Sequence, residues 1–102
     1  MYLDDVDALH QKVTAAILRA ESQPIGSEDA MLAWSVVARL EHDLTMVTTA
    51  ESAAGAAARY GAVRASRLAG DIPRARHLAA AYIDDPAVTP ELRKLIEELV
   101  AP

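Results

Sequence analysis

The chain has 102 residues, the size of one domain, and 15 acidic against 10 basic side chains give it a net charge of −5. It contains no cysteine, which excludes disulfides, thiolate metal sites and cysteine nucleophiles and suits a reducing compartment. Half of it is apolar, but with no Phe, one Trp and three Tyr against 22 Ala, the core must come from Leu, Val, Ile and Ala. Small side chains remove little surface from water and work best where helices approach closely. A single domain, 1–102, that gains by self-association is therefore expected.

The first residues, Met1-Tyr2-Leu3-Asp4-Asp5, are acidic and lack the basic start and apolar run of a signal peptide. The longest apolar stretch, Ala30 to Ala38, is interrupted by Ser35 and ends at Arg39, far short of the roughly 20 residues that cross a bilayer. A cytoplasmic protein that makes no use of a membrane is expected. Arginine outnumbers lysine eight to two, the balance of a GC-rich bacterial genome.

Helical periodicity runs through the whole chain. Leu3, Val6, His10, Val13, Ile17 and Ala20 recur in steps of three and four and draw one stripe on a first helix, which Gln23-Pro24 ends. Pro24-Ile25-Gly26 reads as a turn. Ser27 suits an N-cap, and Glu28 and Asp29 suit the positive end of the following helix. That second helix carries Ala33, Val37, Leu40, Leu44 and Val47, with Met31 and Trp34 beside them. Thr48-Thr49-Ala50-Glu51 has the spacing of a capping box and is read as a break, although a continuous helix fits the periodicity too. The third helix, from Ala53 to Leu68, places Ala58, Ala62 and Ser66 four apart, a smooth strip for a close neighbour. Gly61 inside it costs about 1 kcal/mol relative to Ala, which close packing would justify.

Gly70 is a helix stop, and Asp71 caps a fourth helix with Ile72, Ala75, Leu78, Ala79 and Tyr82 inward, ended by Asp84-Asp85-Pro86. Thr89-Pro90 starts a last helix that buries Leu92, Leu95, Ile96, Leu99 and Val100. No segment alternates as a strand does. The fold expected is an all-α antiparallel bundle of four to five helices.

Leu68-Ala69-Gly70-Asp71 at a turn, Ala75 early in the next helix and Asp85-Pro86 after it resemble a tetratricopeptide-type helical hairpin over residues 59–86. Here the Asp-Pro comes one residue early, the aromatic and glycine positions of the first helix are differently filled, and there is no clear second copy. The resemblance implies a helical interaction scaffold and brings no catalytic residue with it.

Three constellations could carry function. Residues 59–77 hold Arg59, Arg64, Arg67, Arg74 and Arg76 against Asp71 alone, whereas residues 1–51 hold nine acids against Lys12, Arg19 and Arg39. Arg64 and Arg67 share a helix face, and Arg74 could lie across the Gly70 turn from them. Such a cluster can grip phosphate or carboxylate, be a solvated face, or answer the acidic half of a second subunit. Residues 57–64 resemble the turn of a DNA-binding helix-turn-helix, but the net charge of −5 argues against nucleic acid as partner. Asp7 with His10, and His42 with Asp43, could ligate a metal, the second pair in the style of HD phosphohydrolases with Asp71 or Asp84 completing the set. The simpler reading places His10 in the core or at a subunit interface and leaves His42 and His77 exposed. Nucleophile-elbow, phosphate-loop and dinucleotide motifs are absent.

The function expected is a non-catalytic interaction module, a homo-oligomer with a protein partner and no cofactor or metal, contacted through Met31, Trp34, Arg64, Arg67 and Arg74. Trp34 has a competing role as core anchor. The other two expectations are a small nucleic-acid or phosphate binder using the arginines and an HD-like hydrolase.

Overall fold

The computed structural model describes residues 5–102, so residues 1–4, Leu3 of the first stripe among them, lie outside the described residues. Five helices and no strand occur among the described residues: α1 (Asp5–Glu21), α2 (Glu28–Thr45), α3 (Ala53–Leu68), α4 (Ile72–Ile83) and α5 (Pro90–Val100). Each start from α2 onward is written in a side chain that accepts a hydrogen bond from a backbone N–H three residues on. Ser27 accepts from Ala30, Ser52 from Gly55, Asp71 from Arg74 and Thr89 from Leu92, at 2.9 to 3.2 Å. Gly26 and Gly70 hold the positive φ angles, 78° and 79°, that their turns require. At the end of α3 the Asp71 and Gly70 N–H groups return to the Ser66 and Arg67 carbonyls, a Schellman closure.

The break between α2 and α3 is real, but its cap is Ser52; the capping-box start at Thr48 is not used. Thr48 instead turns its hydroxyl back to the Leu44 carbonyl. Val47, placed on the buried stripe by periodicity, falls beyond the end of α2 and is half exposed. Ile72 and Leu95 are also exposed where burial was expected. Ile72 opens the first turn of α4. Leu95 shows that α5 buries a stripe about two residues wide, Leu92 and Ile96, with Leu99 and Val100 half covered.

The packing is sequential. α1 packs on α2, α2 on α3, and α3 on both α4 and α5, which also pack on one another. Among the described residues the backbones of α1 and α3, and of α2 and α4, do not pack closely, and these pairs meet through side chains only. The result is a plate 17 Å through its thinnest direction, about two helices deep. Its core is correspondingly divided. Ala62, Val63, Leu78, Tyr82, Leu92 and Ile96 form one cluster, and Ala16, Ala20, Trp34, Val37 and Ala65 another. A third, Val13, Leu44 and Ala58, joins α1, α2 and α3. Alanine at the crossings lets the α-carbons come near, as its abundance predicts.

Candidate binding surfaces

Because α3 packs its backbone against α2 and α4 on different faces, its polar residues are sorted by direction. Arg59, counted with the surface arginines from its sequence position, is buried, with 8% of its surface exposed. It closes the open end of α2. Its guanidinium donates to the Gly55 carbonyl at 2.9 Å and, at 3.4 Å each, to the carbonyls of Thr45 and Thr48. The orphan carbonyls of a helix end carry partial negative charge, and a buried cation satisfies them without a carboxylate.

Arg64 and Trp34 come together. The guanidinium carbon lies 5.3 Å from the indole centre, in cation–π range. With Ala20, Gln23, Ile25, Ala30 and Leu68 they line an open cavity of about 360 Å³ where the α1–α2 turn approaches α3. Ile25 stands fully exposed at the tip of that turn, and Leu68 is partly exposed on α3. Trp34 itself is buried among Ala16, Ala20, Val37 and Ala65, so it anchors the core and floors the cavity at once.

Arg74 is not brought to this surface. It lines a second cavity, of about 260 Å³, with Arg39, Ser35, Ala38, Ser66 and Ala69. Ser66 and Arg64 are two residues apart on one helix and so point about 200° apart. The sequence cluster Arg64–Arg67–Arg74 is therefore divided: Arg64 lies beside Trp34, Arg74 beside Arg39, and Arg67 is exposed on α3. Met31 belongs to the second side. It lines a dent of about 320 Å³ with Glu28, Leu32, Ser35, Ala69 and Asp71, and its sulfur lies against Gly70.

The remaining polar groups bind the helices together. His42, expected to be exposed, is half-buried, and its Nδ1 shares a 2.7 Å hydrogen bond with the Tyr82 hydroxyl, tying α2 to α4. Burial pushes the Tyr82 phenol up, against the pull of Thr45, Arg59 and Arg74. Glu41 is 8% exposed, and burial raises its carboxyl from 4.5 to about 7 although Arg64 pulls it the other way. The carboxyl rests on Gly61, where any Cβ would overlap it. Gly61 thus permits a close approach, as expected, but to a side chain rather than a helix backbone.

The metal expectation finds no geometry. His10 is exposed on α1 rather than on its buried stripe, which is Val13, Ala16 and Ala20. Asp43 is exposed, Asp71 caps α4, and Asp84 follows its last turn. No group of three or more His, Asp and Glu among the described residues could hold a metal ion. The helix-turn-helix reading of residues 57–64 is also corrected: these residues lie inside α3, with no turn at Gly61. No helix among the described residues is long and apolar enough to cross a membrane.

Sequence reasoning missed Glu41, Arg59 and the His42–Tyr82 bond. A helical wheel would have placed Glu41 on the face of Trp34 and Ala38, a visible signal; the partner of Tyr82, 40 residues away in sequence, left none. Comparison with family models, curated proteins and solved structures finds no match.

Proposed function

We propose that this chain is a non-catalytic, self-associating helical module that docks a partner protein at the Trp34–Arg64 cavity. The observation that carries the reading is the stacking of a guanidinium on a tryptophan at the edge of an open cavity rimmed by Ile25 and Leu68. Trp and Arg in such settings dominate binding energy at protein interfaces, and exposed aliphatic side chains around them supply area to bury. The occupant that fits is an apolar side chain of the partner, entering between Ile25 and Leu68. The polar residues most suited to chemistry have structural partners instead: Arg59 on the α2 carbonyls, Asp71 on the α4 N-terminus and His42 on Tyr82. The likeness of residues 59–86 to a tetratricopeptide-type hairpin agrees with a scaffold role. Phosphate or nucleic-acid binding through Arg64, Arg67 and Arg74 is less favoured, because Arg64 and Arg74 line different cavities.

The test is affinity capture from the native cell with wild-type chain and with Ile25→Asp/Leu68→Asp, whose changes fall on exposed positions and should leave the helical circular dichroism intact. A partner retained by the wild type and lost by the variant is expected. If every protein retained by the wild type is retained equally by the variant, the cavity is not the docking site.

A further inference from the structure

The outward face of α2, opposite its buried side, carries a stripe that is complementary to itself. Asp29, Leu32, Ser35, Val36 and Arg39 are all exposed, and Leu32 has 67% of its surface open to solvent. On a helix these five positions fall within about a third of the circumference, some 180° from buried Trp34 and Glu41. An acid, an apolar residue, a small residue, an apolar residue and a base thus follow one another along the helix. Among the described residues neither Asp29 nor Arg39 side chain makes a hydrogen bond or ion pair within the chain.

We infer that this stripe is the contact between two copies of the chain, packed as antiparallel α2 helices about a two-fold axis near residue 34. The axis follows from the spacing. In an isologous contact, residue i meets residue j and j meets i, so contacting pairs share a constant sum of residue numbers. Asp29 with Arg39 and Leu32 with Val36 give the same sum. One axis therefore closes two ion pairs and two apolar contacts together. Ser35 lies next to that axis, where a small side chain allows the helices to approach. The dent beside Leu32, lined by Met31, Ala69 and Asp71, adjoins the contact and gives the partner's apolar side chains a place to enter. Glu28 and Asp43 are exposed on the same arc, and the register shifted by three residues toward the C-terminal end of α2 would set these acids opposite one another, which disfavours that register. The inference gives a surface to the self-association in the proposed function and uses none of the residues that rim the Trp34 cavity.

Sedimentation equilibrium of the full chain decides it. Wild type should show twice the 10.9 kDa chain mass. Leu32→Glu should reduce this to a single chain with the helical spectrum unchanged. Asp29→Arg alone and Arg39→Asp alone should each weaken the dimer at least tenfold by turning two ion pairs into like-charge contacts, and the double variant Asp29→Arg/Arg39→Asp should recover it. A wild-type mass of one chain overturns the interface, as does a dimer indifferent to Leu32→Glu or a double variant as weak as the singles. A wild-type mass of one chain would also remove self-association from the proposed function, whereas a dimer indifferent to Leu32→Glu would keep it and reject this surface alone; neither result touches the docking site that the capture experiment tests at Ile25 and Leu68.

Discussion

Glu41 shows how a single side chain sets a pH response. Its carboxyl titrates near 4.5 when unfolded and near 7 when folded, because burial opposes its charge. The folded state therefore binds the proton more tightly, and folding takes up a proton between these two values. Below about pH 4.5 the group is neutral in both states and costs nothing. Between about pH 4.5 and 7 the unfolded chain ionises while the folded one keeps its proton, so stability falls by up to about 3 kcal/mol and levels off once the folded carboxyl ionises above 7. Arg64 opposes this loss in part. Glu41→Gln keeps the shape and removes the titration, so urea unfolding at pH 5 and pH 8 should show the variant gaining on wild type by about 1–3 kcal/mol at the higher pH. Equal pH dependence in the two proteins would place the carboxyl in water. Gly61 belongs to the same arrangement: helix propensity alone favours Ala there, and the carboxyl resting on it explains why the smaller residue is used.

At the scale of elements, the ends of the helices were the most legible part of the sequence. Ser27, Asp71 and Thr89 cap where local chemistry says they should, and Gly70 stops α3, because caps and stops depend on neighbours within four residues. The α2–α3 junction was harder because Thr48 and Ser52 are both competent caps. What selects Ser52 is tertiary: Arg59 reaches back across the junction to the Thr45 and Thr48 carbonyls, which it could not do from a helix starting at Thr48. Gly55 sits where its Cβ would overlap the Thr49 carbonyl, so the junction turns tightly over α3. Arg59→Ala removes the only charged donor on those carbonyls among the described residues. It should cost about 2–3 kcal/mol, the range for hydrogen bonds to a charged group lost in a buried setting. Thermal unfolding checks this: for a chain of this size the midpoint should drop by roughly 10 °C or more. A drop below about 2 °C would mean water replaces the guanidinium without loss.

For the molecule as a whole, the all-α class and the helices themselves could be read directly, yet the exposed arginines could not be placed on faces. Arg64 and Arg74 are close in sequence and separate in space because the plate has two sides, and linear spacing does not say which side of α3 a following helix will cover. The same limit applied to Trp34, whose double role as core anchor and cavity floor needs the position of Arg64 to be seen. His10 lies at the rim of its stripe, and α1, whose backbone packs closely on α2 alone, buries little more than Val13, Ala16 and Ala20.

That position at the edge of the plate, with a single closely packed backbone beside it, has a consequence for how the protein comes apart. α3 is held by α2, α4 and α5, whereas α1 can detach from α2 without disturbing the cluster around Val63, Leu78 and Ile96. Amide deuteration should accordingly reach the backbone of α1 by a partial opening that costs less than global unfolding, while the middle of α3 exchanges only when the whole chain unfolds. Mass spectrometry of peptic fragments would resolve the two rates. Identical protection in both helices would mean that the plate opens as one unit, with its outermost helix as firmly bound as its centre.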